Sequence, residues 1–181
     1  GTHVLGTVVA KKDNVGMHGV AFDSQAIVVK IGDGRSVDLN NAKNGLAWAA
    51  DQGAVVGNLS ANTNYDYLFR GNLTQLNDGT WQSTDSRYDY KNKLYYNEQN
   101  PSDWKNITDK NMVLVNSAGN QGLSVSAHPG YFVTAKDDSG NLILGGKVLI
   151  VGAVDHNNNL YAWSNQAGHI CQNIVDNACA D

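Results

Sequence analysis

The 181 residues, 41% of them hydrophobic, are enough for one domain with a substantial core and short for two. No apolar run approaches the roughly 18–20 residues that span a bilayer, and the N-terminus has neither the basic nor the apolar stretch of a cleaved export signal. A formal net charge of -4, with basic residues scattered at Lys11, Lys12, Lys30 and Arg35, excludes the electrostatic footprint of a nucleic-acid or anionic-lipid binder.

In chain order, "GTHVLGTVVAKK" reads as a helix crowded with Gly, Thr and Val, so packing rather than propensity must hold it and burial is expected. "AIVVKI" at 26–31 reads as a strand, and "IGDGRS" at 31–36 as the turn after it. In "NAKNGLAWAADQG", Ala42, Leu46, Ala49 and Ala50 recur at helical spacing, Asn40 or Asn41 can cap the start, and Gly53 supplies the stop. "AVVGNLS" at 54–60 is the following strand. Residues 62–106 change character to Asn, Asp, Tyr, Thr and Gln, the mark of a long surface insertion that serves as a lid or packs on its own domain. "NPSDWKNITDKN" near its end predicts a short helix with Pro101 in the first turn and Asn100 or Ser102 as the cap. "MVLVNSA" at 112–118 and "VLIVGAV" at 148–154 are continuous apolar strands, as in a parallel sheet buried on both faces. The whole predicts an α/β fold with right-handed β-α-β crossovers.

The order of these segments carries more than their types. "GTHVLGTVVAKKDNVGMHGVAFDSQAIVVKI" resembles the stretch of the subtilisin-like serine proteases (subtilases) in which a catalytic His is followed directly by Gly-Thr-His-Val, a buried helix, Gly-Val-Ala and a sheet strand. "GLAWAADQGAVVGNLS" is similar to the family's helix and its Asn-x-Ser strand along the substrate cleft, and "MVLVNSAGNQG" to its oxyanion-hole segment. "VLIVGAVDHNNNLYAWSNQAG" is similar to its Val-Gly-Ala-Val-Asp strand and Ser-Asn turn. The resemblance implies a three-layer subtilisin-like fold, a mainly parallel β-sheet flanked by helices, with residues 1–181 forming part of a catalytic domain. His3 matches the second His of His-Gly-Thr-His, which implies a structural role. By the same likeness the catalytic His precedes Gly1, the Asp lies further upstream, and the nucleophilic Ser follows Asp181. The chain alone is then expected to be inactive.

What the resemblance carries over is the electrostatic part of the site. Asn120 of "SAGN" matches the oxyanion-hole asparagine, a neutral amide that donates to the charge developing on the tetrahedral intermediate. Alone it reads equally as an Asn in a turn after a strand. Ser60, Ala61 and Asn62 match one wall of the pocket for the residue before the scissile bond, and Ser117, Ala118 and Gly119 the facing wall. Ala61-Asn62 stands where the family often has Leu-Gly, so the slot's width and lining depart from the usual pattern. Main-chain pairing with an extended peptide would supply much of the affinity. "IGDGRS" occupies the place of the other substrate-pairing edge.

The remaining candidates are plainer. Cys171 and Cys179, close together in a polar stretch, favour a local disulfide in an exported, extracellular or cell-surface protein; a zinc pair with His169 lacks a fourth ligand. No cofactor is required and no metal site is assigned. Asp155 with Asn157, Asn158 and Asn159 offers oxygens to a structural calcium, but the spacing matches no dedicated loop and reads more simply as a solvated turn. His18, His128, His156 and His169 read as surface or turn histidines. Asn58, Asn72 and Asn106 begin Asn-x-Ser/Thr triplets of the kind an Asn-rich chain produces by chance. The partners expected are a peptide or protein substrate, with a propeptide, complementary chain segments or self-association covering exposed strand edges; neither nucleic acid nor membrane is expected. Two other readings are a protease-like binding or scaffold module without catalysis, and a nucleotide-binding doubly wound domain. The last requires a Gly-rich phosphate loop after the first strand, which "IGDGRS" does not supply.

Overall fold

A computed structural model describes residues 1–34, 37–61, 101–120, 133 and 136–167, together with the backbone of short strands at 73–75, 81–83, 88–89, 94–95 and 124–125. The chain divides into two units, Gly1–Lys30 and Ile31–Asp181.

In the first unit the expected helix forms over Thr2–Val9 (α1). Its C-terminal carbonyls, which a helix leaves without internal donors, are met by the returning chain: the N–H groups of Gly19, Val20 and Ala21 donate to Ala10, Thr7 and Val8 at 2.8–3.0 Å. The expected burial of the helix is not found. None of its side chains is buried, and Val8 is 40% exposed. The returning segment backs the last turn through its backbone and offers few apolar groups to the rest of the helix. His3 is exposed, and its carbonyl accepts from the Thr7 hydroxyl at 3.1 Å, so the packing role expected of its side chain is not seen in this unit. Nearby, His18 meets the edge of Phe22, and the Lys12 ammonium lies over the same ring.

The strand expected at 26–31 is also not formed; Val28 is 70% exposed. Its β-branched residues favour an extended chain, but a strand exists only in a ladder, and none of the described strands pairs with this run.

The second unit begins with the turn at 31–38. Gly32 pairs antiparallel with Val37, and Asp38 N–H donates to Ile31 O. The turn delivers Asp38 to the start of helix Leu39–Asp51 (α2), where its carboxylate accepts from Asn40 N at 2.8 Å and Asn41 N at 3.3 Å. The cap is therefore Asp38, not Asn40 or Asn41. A carboxylate on an extended residue accepts from two orphan N–H groups at once and draws the helix start forward. The helix stops where expected, with Gly53 N–H donating to Ala50 O.

Strands Val56–Leu59 (β1), Val113–Ser117 (β6) and Val148–Val151 (β8) form a parallel sheet in the order β1-β6-β8. Between β1 and β6 lie the antiparallel pairs Leu73–Gln75 with Trp81–Ser83 (β2 and β3) and Tyr88–Asp89 with Leu94–Tyr95 (β4 and β5). A 3-10 turn at Pro101–Trp104 then runs into helix Lys105–Thr108 (α3). Two-residue strands at Ser124–Val125 (β7) and Gln166–Ala167 (β9) pair in parallel.

One face of the main sheet makes the core: Leu59, Leu114 and Val148 pack with Ala42 and Ala49 of α2 and with Trp104, Ile107, Met112 and Leu144. Trp104, 2% exposed, shows that the end of the polar insertion belongs to the core. On the other face Val56, Leu149 and Val151 are more than half exposed, so the burial expected on both faces is met on one among the described residues. Gly57 is the point of closest approach. A Cβ there would lie 2.7 Å from Leu46 Cδ2 and 2.8 Å from Met112 Sδ, both part of the packing that seats α2 on the sheet. Gly57→Ala is expected to overpack this contact and destabilise the protein by about 1–3 kcal/mol, read as a lower denaturation midpoint at unchanged m-value.

Candidate active site

In a parallel sheet all strands end at the same edge, and in open α/β folds ligands bind outside that edge. Here the register sets Leu59 beside Asn116 and Ser117 beside Val151, so the chain leaves β1, β6 and β8 at one level. The segments that follow are Ser60–Ala61, Ala118–Asn120 and Gly152–Ala153. The structure therefore brings together the candidates Ser60, Ala61, Ser117, Ala118, Gly119 and Asn120; Asn62 lies outside the described residues. Ser60 and Asn120 are exposed, Ala61, Ser117 and Gly119 half-buried, and Ala118 buried.

Two buried side chains not singled out in the sequence hold these segments. Asn116, 7% exposed, donates from Nδ2 to Leu59 O at 2.6 Å and Ala61 O at 3.1 Å. Both partners are acceptors, so the nitrogen must face them and the amide orientation is settled. The two carbonyls, two residues apart, turn toward β6. In an extended chain the backbone groups of the residue between, Ser60, then face away from β6, the side of β1 on which no described strand pairs. Asn58 Nδ2 donates to the Ser60 hydroxyl at 3.0 Å.

The second is Asn165, 2% exposed. Its Nδ2 donates to Ala118 O at 2.9 Å and its backbone N–H to Gly119 O at 3.1 Å. Ser164 joins this to the third segment, with Oγ accepting from Ala153 N at 2.9 Å and donating to Asn165 O at 3.1 Å. Gly119 has φ of 107°, a conformation open to glycine and strained for other residues, and it turns the chain out of β6 so that Asn120 reaches the surface. A signal for Asn116 was present: a polar residue in step with core-facing Leu114 must be hydrogen-bonded. Asn165 lies in no apolar run that would mark it as core-facing; its one signal was membership of the Ser-Asn turn in the quoted motif.

Asp155 belongs to a turn. Its Oδ1 accepts from Asn157 N at 2.8 Å and Asn159 N at 2.9 Å, and Oδ2 from Asn159 Nδ2 at 3.3 Å. This is the solvated turn expected as the plainer reading, with the carboxylate collecting N–H groups of its own loop. Asp137 repeats the arrangement with Ser139 and Asn141. Among the described residues no group of three His, Cys, Asp or Glu side chains could hold a metal. Cys171, Cys179, His128 and His169 lie outside the described residues; His156 is exposed. A cavity of about 560 Å³ lined by Lys105, Asp109, Lys136, Asp137, Asp138 and Lys147 opens where Lys147 leads into the start of β8, at the other end of the strand from Gly152–Ala153. Its charges are balanced. Lys105 pairs with Asp109, and Lys147 donates to Thr108 O and Asn111 Oδ1.

Two outcomes follow from this geometry. Asn116→Ala removes a buried donor shared by two carbonyls and is expected to cost about 1–3 kcal/mol in denaturant unfolding. Asn116→Asp, which sets a carboxylate against the same oxygens, should be worse at neutral pH and recover as the acid protonates. The N–H groups of Asn159 hold Asp155 below the usual carboxylate range, and Asn141 does the same for Asp137. Groups depressed in the folded state contribute stability that is present above the ordinary aspartate range and lost as pH falls through their lowered values. Exchange of the Asn157 and Asn159 amides should accelerate in acid beyond the intrinsic rate, and Asp155→Asn should remove that extra dependence.

The sequence model of the subtilase family matches residues 1–176. Subtilisin BL of Lederbergia lenta is 26% identical over 166 residues, covering 91% of this chain and 45% of that protein, so the chain spans less than half of that relative's length. An extracellular serine protease of Serratia marcescens is 58% identical over 33 residues, 18% of this chain and 3% of that protein. Among solved structures, the epidermin leader peptide processing serine protease of Staphylococcus aureus superposes with a TM-score of 0.54 at 21% identity, over 90% of this chain and 36% of that one, a likeness of fold. With the α/β arrangement and the motif order, these matches have one reading: the chain belongs to the subtilase family.

Proposed function

We propose that this chain supplies the oxyanion donor and one part of the substrate cleft of an exported serine endopeptidase. The observation that carries the reading is the turn at Ala118–Asn120, held from below by a buried amide and presenting an exposed carboxamide at the C-terminal edge of the parallel sheet. Asn120 there can donate to an oxygen that gains charge as a peptide carbonyl becomes tetrahedral. A neutral donor helps most when it is already aimed and needs no reorganisation at the moment of reaction.

The chemistry proposed is acyl transfer. A serine hydroxyl attacks the carbonyl carbon, a histidine takes the serine's proton and passes it to the leaving amine, and an aspartate orients that histidine. Water then repeats the sequence on the acyl-enzyme. By the motif order these three groups are supplied by protein outside residues 1–181, and the chain alone does not hydrolyse peptides. Ser60 offers backbone groups to an extended peptide, and Ser117–Gly119 stand beside it, so peptide or protein is the substrate class. The relative from Serratia, extracellular by name, supports export.

The reading is tested by fluorophosphonate labelling of the full-length protein, located by mass spectrometry. A labelled serine outside residues 1–181 is expected, with Asn120→Ala lowering kcat by about 100- to 1000-fold, the range known for removing such a donor in subtilisin. Failure of a folded, processed protein to label would replace the protease reading with that of a binding module. A labelled serine within these residues would move the active site.

A further inference from the structure

We propose that Asn165 is a positioning residue for catalysis, the group that pre-aims Asn120 through the Ala118–Gly119 backbone. This rests on the role just proposed for Asn120. The case starts from the freedom that must be removed. Gly119 lies between the last strand residue and the donor, and a glycine samples more backbone conformations than any other residue. Rotation about its two torsions would swing the carboxamide of Asn120 by several ångströms and leave the strand intact.

Three hydrogen bonds remove that freedom. Ala118 N–H donates to Val151 O at 2.9 Å, which continues the ladder one residue past β6. Asn165 Nδ2 then holds Ala118 O at 2.9 Å, and its own N–H holds Gly119 O at 3.1 Å. The first of these carbonyls defines the peptide plane entering Gly119 and the second the plane leaving it into Asn120. With both planes tied to one residue, φ of Gly119 stays at 107° and the Asn120 Cα is fixed in space. Asn165 is itself immobile: it is 2% exposed, and its carbonyl accepts from Ser164 Oγ, which also accepts from Ala153 N. The strut thus runs from the exit of β8 to the exit of β6. Ser164 and Asn165 themselves are buried, each 2% exposed, so their effect on the reaction passes through the Ala118–Gly119 turn to Asn120.

The distinguishing consequence is non-additivity, measured in the full-length protein with a peptide substrate. Asn165→Ala is expected to lower kcat about 10- to 100-fold with KM nearly unchanged, since misplacing a catalytic group by about 1 Å costs up to about 100-fold. In an Asn120→Ala background the same substitution should cost nothing further, because the group it aims is gone. Asn165→Asp keeps the shape and the backbone N–H but loses the side-chain donor, and should behave as Asn165→Ala; it decides the matter if the alanine variant does not fold. Unfolding midpoints are recorded so that kcat is compared among folded proteins. An equal loss of kcat in both backgrounds would show that Asn165 only stabilises the fold and would overturn the proposal, as would an unchanged kcat in folded Asn165→Asp. If Asn120→Ala itself leaves kcat intact, the oxyanion reading fails instead.

Discussion

A polar group taken out of water must find a hydrogen-bonding partner, and at the C-terminal edge of this sheet that requirement falls on two asparagines. Asn116 meets it by gripping the chain that leaves β1, and Asn165 by gripping the chain that leaves β6. A strand end would otherwise fray into solvent. Here each exit is tied to a neighbouring exit, and the three segments Ser60–Ala61, Ala118–Asn120 and Gly152–Ala153 become one surface.

The energetics of the two ends of the sheet differ accordingly. Around α2, α3 and the buried faces of the strands, stability comes from apolar packing, with Trp104, Ile107, Met112 and Leu144 in the core and Leu46 and Met112 filling the space that Gly57 leaves open. At the functional edge few apolar groups are buried, and directional bonds replace packing. That division suits the catalytic surface proposed above. Packing tolerates small shifts of its members, whereas a donor aimed at one oxygen does not. The turns at Asp137 and Asp155 apply the same device at the surface, a carboxylate collecting N–H groups across a five-residue loop.

The likeness to subtilases was legible because each quoted motif combines a strand with the turn that leaves it. The pattern "NSAGN" joins small residues that fit beside a substrate to a glycine that turns the chain outward. What stayed hidden was the support. Asn116 looked like one more residue of an apolar run, although its phase with Leu114 marked it as core-facing. The helix cap lies two or three residues before the expected Asn40 or Asn41, because Asp38 precedes the segment that carries the periodic alanines.

Local signals in the sequence were sufficient for α2 and the three parallel strands, since propensity and apolar spacing act between near neighbours. The segment from Pro101 forms a 3-10 turn and only then the helix α3, whose N-cap is Trp104, without a side-chain cap, and not the expected Asn100 or Ser102. Local signals were sufficient also for the family, whose motifs are short and ordered. Only the tertiary structure decided that 26–31 stays out of the described ladders, that one face of the sheet carries the core, and that Asn165 rather than a nearer residue holds the turn before Asn120. Ladders, packed faces and buried hydrogen bonds each need a second segment, and which distant segment arrives is set by the packing of the whole chain.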